Sequence, residues 1–511
     1  MTSDGHIAFQ PPAEHVELAV DYVVVGSGAG GAAAAVTLAR GGASVAIVEA
    51  GPWRDPDDYP SSVYGAMRDM MDSWGATFTQ GRAFWPIVQA RLVGGTTVIN
   101  SAICVRTPGD IFQQWEREHG VGGEAMAKAV WEIQDGMEGE LHASVAAPEA
   151  NGRNNLLAKQ GGDALGIDSH YMTRYVRDCE GKGQCLQGCK AGHKRSTNLN
   201  LIPEVLQRGG HVLSCAPVTR VAFEGRRAVG VSGRFVHPQS RKRGGDFKVR
   251  ARRGVVIAAS VTRSANLLAM SGVKHAQLGE QFRAHPGAPV FGCYEDEVDM
   301  PKGATQGWAS LSFREDPGLK LETLALPLDM VAGRLPGAGA QLMERLQEYR
   351  NLAMFVQATR AETTGSVRPA ALGRTSVRYT LNKADMTRFR EGMYKVAQIH
   401  IAAGAHSVLP CISGMPYRLG RDEIDLLKEA PLDPRAYVAV LSHLFGGCVM
   451  GSDPARAVCD DNGKVHGHDG LYVADASVIP TNLGVNPQAT IMGLAVLFAQ
   501  RMLEEPATAA A

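Results

Sequence analysis

The sequence is poor in cysteine, since nine cysteines in 511 residues are too few for a disulfide scaffold. It also lacks an excess of charge of either sign, because 52 Lys and Arg residues balance 52 Asp and Glu residues. A neutral chain offers no broad basic surface to nucleic acid, so we expect no such partner. Hydrophobic residues at 45% and charged residues at 20% are typical of a soluble globular protein.

Long apolar runs are absent as well. The longest uncharged run, residues 476–500, contains two prolines and two asparagines, which favours a buried core segment over a membrane span. The first 15 residues have neither the basic start nor the apolar core of a signal peptide. We expect a cytoplasmic protein without a transmembrane segment, while export together with a signal-bearing partner stays open. The length of the chain indicates two structural domains.

A βαβ unit opens the chain. Residues 22–25 form a continuous apolar run that ends at Gly26, which is typical of a buried parallel strand. Residues 32–40 are strong helix formers, and residues 44–48 form a second strand that ends at Glu49. This order of elements predicts a Rossmann-like unit.

The turn of this unit has the spacing GxGxxG at Gly26, Gly28 and Gly31. Gly26 permits the tight turn, Gly28 lets a pyrophosphate approach the backbone, and Gly31 allows close packing of helix on strand. Ala29 lies in the same turn, before the predicted helix whose free N-terminal amides face the phosphates. Glu49 suits the hydroxyls of a ribose. These residues predict a dinucleotide site, with a structural glycine turn as the alternative, and the motif alone does not separate FAD from NAD.

Further segments at both ends of the chain resemble the signatures of the glucose–methanol–choline (GMC) oxidoreductases, whereas residues 286–440 match only weakly. The segments are GGTTVINS at 94–101, RTP at 106–108, HLFGGCVMG at 443–451, DP at 453–454, VHG at 465–467, GLYVADAS at 470–477 and GVNPQAT at 484–490. The resemblance implies oxidation of an alcohol to a carbonyl with a bound FAD. Because no His lies in residues 94–101, we expect non-covalent FAD.

The resemblance also implies roles for individual residues. It assigns His443 as the active-site base and Asn486 as its partner, at a position where the family has His or Asn. The cofactor contacts that it implies are Gly95 and Asn100 along the isoalloxazine, Val221 on the adenine side, and Asp475 with Ala476 at the pyrophosphate and ribityl region. Residues 259–268 depart from the family's second signature, so we assign no contact there.

The fold class implied is α/β, with a Rossmann-like FAD-binding domain of the GMC type and an inserted α+β substrate domain built on an antiparallel sheet. The predicted ranges are an N-terminal tail over 1–18, an FAD-binding domain over 19–105, 195–285 and 441–505, a connecting segment with a Cys-rich loop over 106–194, and a substrate-binding domain over 286–440.

The chemistry explains why these residue types are needed. A hydride leaves an alcohol carbon only if the hydroxyl proton is removed with it or before it. Neutral imidazole suits this proton step, because its ordinary pKa of about 6.5 lies near working pH. The Asn486 amide and the protonated His443 would then donate to the developing alkoxide. The alternatives are a core histidine at His443 and an Asn486 that only caps the helix predicted from Pro487.

Three cysteines, Cys179, Cys185 and Cys189, have the spacing C-x5-C-x3-C. This loop is similar to the iron–sulfur loop of FAD-dependent glucose dehydrogenase catalytic subunits, where a cluster passes electrons to a cytochrome or dye. No fourth cysteine is nearby, and Lys190 stands where such loops often have Pro. The loop is therefore interpreted as an iron–sulfur site or as structural or disulfide thiols, with zinc as a weaker option because structural zinc takes four ligands.

The leading hypothesis is an alcohol oxidase or dehydrogenase whose electron acceptor is O2, a quinone or a cytochrome. An apolar alcohol is favoured, because residues 324–335 and 342–354 are rich in Leu, Met and Ala. One alternative is an FAD and iron–sulfur sugar-type dehydrogenase, and a remote one is a non-catalytic electron-transfer flavoprotein. A flavin disulfide reductase would need a second GxGxxG and a CxxC, which the sequence lacks.

Overall fold

The structure is a computed structural model that describes residues 5–505. The strands within these residues are β1 His6–Ile7, β2 Val16–Val25, β3 Val45–Val48, β4 Thr77–Gln80, β5 Pro86–Ile87, β6 Ala143–Val145, β7 His170–Tyr171, β8 Thr173–Tyr175, β9 His211–Leu213, β10 Val218–Glu224, β11 Arg227–Val236, β12 Arg243–Ile257, β13 Arg283–Cys293, β14 Trp308–Ser310, β15 Leu319–Thr323, β16 Leu352–Thr359, β17 Ser366–Pro369, β18 Thr375–Arg378, β19 Ser407–Leu409, β20 Leu419–Gly420, β21 Val440–Phe445 and β22 Leu471–Val473.

The α-helices of the same residues are α1 Ala29–Arg40, α2 Val63–Asp69, α3 Gly109–His119, α4 Gly123–Glu140, α5 Pro148–Asn151, α6 Arg153–Ala164, α7 Leu201–Gln207, α8 Ser264–Met270, α9 Leu328–Ala332, α10 Gly339–Leu346, α11 Lys383–Ala402 and α12 Gln488–Glu504. Two short 3-10 turns, Gly95–Val98 and Ala476–Val478, lie beside the site described below. Among residues 5–505, none of the helices combines the length and the apolar character that a membrane crossing requires.

The first sheet has the strand order β1-β9-β3-β2-β12-β11-β10, with β22 also paired to β12. Strands β1, β9, β3, β2, β12 and β22 run parallel, while β10 and β11 extend the sheet in antiparallel pairs. Parallel strands are buried on both faces, which explains the continuous apolar runs at residues 22–25 and 45–48. Helices α1 and α12 pack against each other, so the two ends of the chain share one layer.

The second sheet has the order β17-β18-β4-β5-β21-β13-β16-β15-β14-β7, with β19 and β20 attached at β13. Most of its pairs are antiparallel, and α11 packs against β13 and β16. The predicted α/β fold class with an antiparallel substrate-side sheet is confirmed. This sheet also takes β4, β5 and β7 and all but the first residue of β21 from outside residues 286–440, and the predicted domain ranges stay a prediction.

The N-terminal part of the chain differs from expectation in its detail. Strand β2 begins at Val16 rather than at Tyr22, because its first half pairs with β12 as well. Within the predicted tail, His6–Ile7 forms parallel pairs with β9. Residues 6–7 and 16–18 of the predicted tail therefore belong to strands of the first sheet.

The register of the second sheet sets the position of the site. His285 lies opposite His443, and two residues further along β13, Gly287 lies opposite Ala358, which in turn faces Lys320. Residues that are directly opposite share a face, and so do residues i and i+2 of one strand. His443, His285 and Lys320 consequently line one face across four neighbouring strands.

Candidate active site

The glycine turn between β2 and α1 is packed against backbone on one side and open on the other. A Cβ on Gly26, whose φ is +100°, would lie 2.2 Å from the carbonyl oxygen of Ala258, and one on Gly31 would lie 2.1 Å from that of Gly26. A Cβ on Gly28 would meet no described atom within 4 Å. Helix α1 begins at Ala29, directly after this open position. The turn is therefore open at Gly28, where the predicted phosphate contact would lie.

Glu49, predicted to bind the ribose, follows β3 and reaches back to the same turn. One of its oxygens, Oε2, accepts hydrogen bonds from the backbone N and the Oγ of Ser27 at 3.1 and 2.6 Å, and Oε1 accepts from Gly51 N at 2.8 Å. Burial raises the pKa of Glu49, while these hydrogen bonds oppose that rise. Since a carboxylate has about four acceptor positions, one remains for a ribose hydroxyl.

The predicted isoalloxazine loop contacts the glycine turn directly. A Cβ on Gly95 would lie 2.8 Å from the Cα of Gly28, so this approach requires glycine. The Asn100 Oδ1 accepts from Ala102 N at 2.9 Å, and its Nδ2 donates to Gln488 Oε1 at 2.7 Å. Asn100 thereby ties the loop to the first turn of α12.

Asp475 joins separate segments of the chain at the end of β22. Its carboxylate accepts from Ser260 N at 2.8 Å, from Ser264 Oγ at 2.5 Å, and from both the N and the Oγ of Ser477 at 2.8 and 2.5 Å. Burial raises the pKa of Asp475, and these hydrogen bonds counteract the rise. Because both oxygens are engaged, any cofactor contact here falls to the backbone around Ala476, as the resemblance implies.

Val221 is not brought to this turn. It lies in β10, three strands away from β2 in the first sheet, and only 1% of its surface is exposed. Its backbone N donates to Ser271 Oγ at 2.9 Å. The side chain is part of the core, and its contact with adenine stays a prediction.

The two predicted catalytic residues meet, although 443 and 486 are far apart in the chain. Asn486 Nδ2 lies 3.3 Å from His443 Nε2, and the other ring nitrogen, His443 Nδ1, lies 3.2 Å from His285 Nδ1. The N-cap of α12 is Pro487, and no side chain caps this helix. The alternative in which Asn486 only caps the helix is therefore wrong.

A buried ion pair, which no sequence pattern indicated, completes the arrangement. The side chains of Lys320 and Glu322 are 2% and 8% exposed, and Lys320 Nζ lies 2.6 Å from Glu322 Oε2. Lys320 Nζ also donates to Asn486 Oδ1. In the sequence LKLET the two charges alternate with leucines, which is equally typical of a strand with one face in solvent. Only the register of the second sheet shows that this face is covered.

The electrostatics of the pair of histidines favours neutral rings. The pKa of His443 is lowered to about 4, chiefly by burial; the charge of Glu322 opposes this effect, and the charge of Lys320 adds to it by a smaller amount. Burial also places the pKa of His285 well below its ordinary value, and His443 and Lys320 add to this effect. At neutral pH both imidazoles are uncharged, so each carries one proton and one lone pair.

The cysteine loop is organised around two buried cations. Arg174 donates through Nη2 to Cys185 Sγ at 3.0 Å, through Nη1 to Cys179 Sγ at 3.8 Å and through Nε to Ser101 O at 2.9 Å. Burial alone would raise the pKa of Cys185, but the charges of Arg174 and Lys194 bring it below the ordinary value. Lys194 Nζ donates to Asn100 O and Cys185 O, both at 2.8 Å, so the loop is joined to the predicted isoalloxazine loop.

These thiols do not fit the iron–sulfur interpretation as they stand. All nine cysteines, Cys189 included, are free, so no disulfide forms within residues 5–505. No three His, Cys, Asp or Glu side chains in this part of the chain are arranged to hold a metal ion. Arg174 lies against two of the three sulfurs, which agrees with structural thiols.

Comparisons with known proteins give the family. Two family models, both described as GMC oxidoreductase, match residues 20–287 and 361–495, which is most of the chain. The chain belongs to the GMC oxidoreductase family. This family is FAD-dependent, and the turn of this GMC oxidoreductase fits such a cofactor, because Gly28 is open while Gly26 and Gly31 are packed against backbone.

Relatives in the family include an uncharacterized GMC-type oxidoreductase of Mycobacterium tuberculosis, 33% identical over 94% of this chain and 75% of that protein. The long-chain-alcohol oxidase FAO1 of Arabidopsis thaliana is 27% identical over 95% of this chain and 66% of that protein. Among solved structures, formate oxidase of Aspergillus oryzae RIB40 has a TM-score of 0.74 at 17% identity and covers 96% of this chain and 99% of that one. This last likeness shows the fold alone.

Proposed function

We propose that this GMC oxidoreductase binds FAD without a covalent link and oxidises an alcohol to a carbonyl. The observation that carries the proposal is the convergence of His443 and Asn486, whose facing nitrogens are 3.3 Å apart on the covered face of the second sheet. A proton acceptor and an amide donor at this separation can contact one substrate oxygen together.

Each residue has a distinct part in the reaction. Neutral His443 takes the hydroxyl proton at Nε2, and its low pKa keeps the ring unprotonated at neutral pH. The Nδ2 of Asn486 donates to the same oxygen as negative charge develops on it. FAD supplies the hydride acceptor when it is bound, held by the backbone around Gly28, by Glu49 and by the loop that begins at Gly95.

We propose an apolar alcohol as the substrate and O2 as the acceptor. The name of the long-chain-alcohol oxidase relative supports both, as do the Leu- and Met-rich residues of 324–335 and 342–354. The arrangement of the cysteines supports no step through a metal cluster, and none is invoked.

The test is the visible spectrum of the purified protein, followed by anaerobic addition of straight-chain primary alcohols of increasing length, with glucose as the polar comparison. We expect a flavin spectrum that bleaches with the long alcohols and returns with air, together with production of hydrogen peroxide. A flavin that no alcohol bleaches would contradict alcohol oxidation. If air does not restore the flavin spectrum after bleaching but a quinone does, the acceptor is a quinone and not O2.

A further inference from the structure

Six polar side chains form one continuous chain of contacts through the proposed site, and five of them are less than 9% exposed. Only His443 is partly exposed. In order they are Asn482, His285, His443, Asn486, Lys320 and Glu322. A reaction that begins with proton transfer to His443 depends on which nitrogen of its neutral ring carries the proton. The groups at the two ends of this series of contacts determine which nitrogen carries the proton.

At one end, the ion pair fixes the amide of Asn486. An ammonium group has only donors, so the amide atom that Lys320 contacts must be the oxygen. A hydrogen bond with Asn486 helps to lower the pKa of Glu322, against the opposing effect of burial. Because a carboxylate only accepts, this hydrogen bond must come from Nδ2. The ion pair thus distinguishes the two ends of a nearly symmetric amide.

This orientation determines the state of His443. Asn486 Nδ2 can only donate, and it lies 3.3 Å from His443 Nε2, so this nitrogen presents its lone pair. The single proton of the neutral ring is then on Nδ1, from which it is donated to His285 Nδ1 at 3.2 Å. Nε2 is thereby the free base on the side of the proposed substrate.

At the other end, His285 must then carry its proton on Nε2 and needs an acceptor there. We assign Asn482 Oδ1 as that acceptor, because a hydrogen bond joins the Asn482 side chain to His285 and Asn482 Nδ2 is already engaged with Ala284 O at 2.9 Å and Ala361 O at 3.2 Å. A hydrogen bond with Asn482 also raises the pKa of His285 against the larger effect of burial, as an acceptor for the ring N–H does.

The backbone N of Gly484 supports a competing state. It lies 2.9 Å from His285 Nε2 and 3.2 Å from Asn482 Oδ1, so its hydrogen can go to either atom. If His285 Nε2 accepts it, the proton of His285 is on Nδ1, His443 accepts at Nδ1, and the His443 proton blocks Nε2. Charge-assisted hydrogen bonds are about twice as strong as neutral ones. The hydrogen bonds of Lys320 and Glu322 therefore outweigh the one from Gly484 N to His285.

We propose that the Lys320–Glu322 ion pair is a positioning device, which holds the Asn486 amide so that the proton of His443 stays on Nδ1 and Nε2 stays free. The proposal rests on the proposed function, in which Nε2 receives the substrate proton. It concerns residues that contact the base through Asn486 and not the substrate itself.

The first experiment reads the proton position without turnover. The holoprotein is labelled with nitrogen-15 in histidine, and the His443 signals are assigned by their loss in His443→Gln. We expect a pyridine-type signal at Nε2 and a pyrrole-type signal at Nδ1 in the wild type. The variant Lys320→Met/Glu322→Met, which removes both charges and avoids a lone buried one, should show the reverse. An Nε2 that is protonated in the wild type, or a variant with the wild-type pattern, overturns the proposal.

The second experiment is a double-mutant cycle on turnover. We expect Lys320→Met/Glu322→Met to lower kcat about 10- to 100-fold, which is less than the roughly 10²- to 10⁴-fold that general acid–base catalysis contributes in full, with unchanged flavin content. In an Asn486→Ala background the same change should have little further effect, whereas additive losses overturn action through the amide. The control is Arg418→Met/Glu348→Met, an ion pair between residues that precede β20 and β16, which should leave kcat unchanged. If the wild type oxidises no alcohol, the proposed function fails while the nitrogen-15 result still decides this inference.

Discussion

The glycine turn after β2 and the face of the second sheet that carries His443, His285 and Lys320, here called the wall, are built in opposite ways. At the turn, backbone atoms line the predicted cofactor site. The turn requires residues without a side chain, since a Cβ on Gly31 would lie 2.1 Å from a carbonyl oxygen. At the wall, regular strands bring together side chains such as His285 and Lys320, and the backbone only sets their spacing. Changes at the turn should therefore affect folding and flavin binding, and changes at the wall should affect chemistry.

The largest difference between the effect on catalysis and the effect on flavin binding is expected from His443→Ala. Loss of the proton acceptor should lower kcat/KM by about 10²- to 10⁴-fold, because general base catalysis contributes that much. Flavin content should equal that of the wild type, since the turn is untouched. Steady-state kinetics and the flavin spectrum check this, with His15→Ala at an exposed position as the control. A variant that bleaches at the wild-type rate would remove His443 as the base.

A single substitution of Lys320, although it lies in the wall, should also affect folding. Lys320→Met leaves the carboxylate of Glu322 buried without its partner, so we expect a loss of about 3–5 kcal/mol in the free energy of unfolding. Replacing both residues by Met should cost less, because no unpaired charge remains. Chemical denaturation of the single and double variants measures the difference, and equal losses would contradict the ion-pair explanation.

Two alanine substitutions in the turn sharpen the same comparison. Gly31→Ala should lower the free energy of unfolding by about 1–3 kcal/mol, because its Cβ overlaps the Gly26 carbonyl. Gly28→Ala has room for its Cβ and should leave the stability of the apoprotein within about 0.5 kcal/mol of the wild type. Its flavin affinity should fall all the same, because the methyl group occupies the open side. Unfolding of apoprotein and flavin titration distinguish these effects, and a flavin affinity unchanged in Gly28→Ala would place the phosphates elsewhere.

The smallest expected effect is that of pH near neutrality. His443 has a pKa of about 4, below its ordinary value, so the base is unprotonated above that pH and is lost as the pH falls through it. We therefore expect kcat/KM to be constant from about pH 7 to about pH 5 and to fall about tenfold per unit below pH 4. Short assays after a pH jump measure this, and an acid limb near pH 6.5 would show an unperturbed imidazole.

The sequence predicted the parts of the molecule that local patterns determine. The βαβ unit, the turn at Gly28 and the α/β class follow from periodicity and glycine spacing, and the meeting of His443 with Asn486 followed from a family resemblance. It did not reveal Lys320 and Glu322, since a charged face in a strand is normally in solvent, and only long-range pairing buries this one. The cysteine spacing likewise could not show that Arg174 lies against two of the sulfurs.

The position of α12 has a consequence for biosynthesis. This helix packs on α1, and Met502 O near its end accepts from the hydroxyl of Tyr22 in β2. The ribosome delivers the N-terminal residues first, so a nascent chain exposes the face of α1 until α12, residues 488–504, has emerged. Asp475 and Asn486 are also made late. The proposed cofactor site, although its glycine turn follows β2, is completed only once the segments that carry Asp475 and Asn486 have been made.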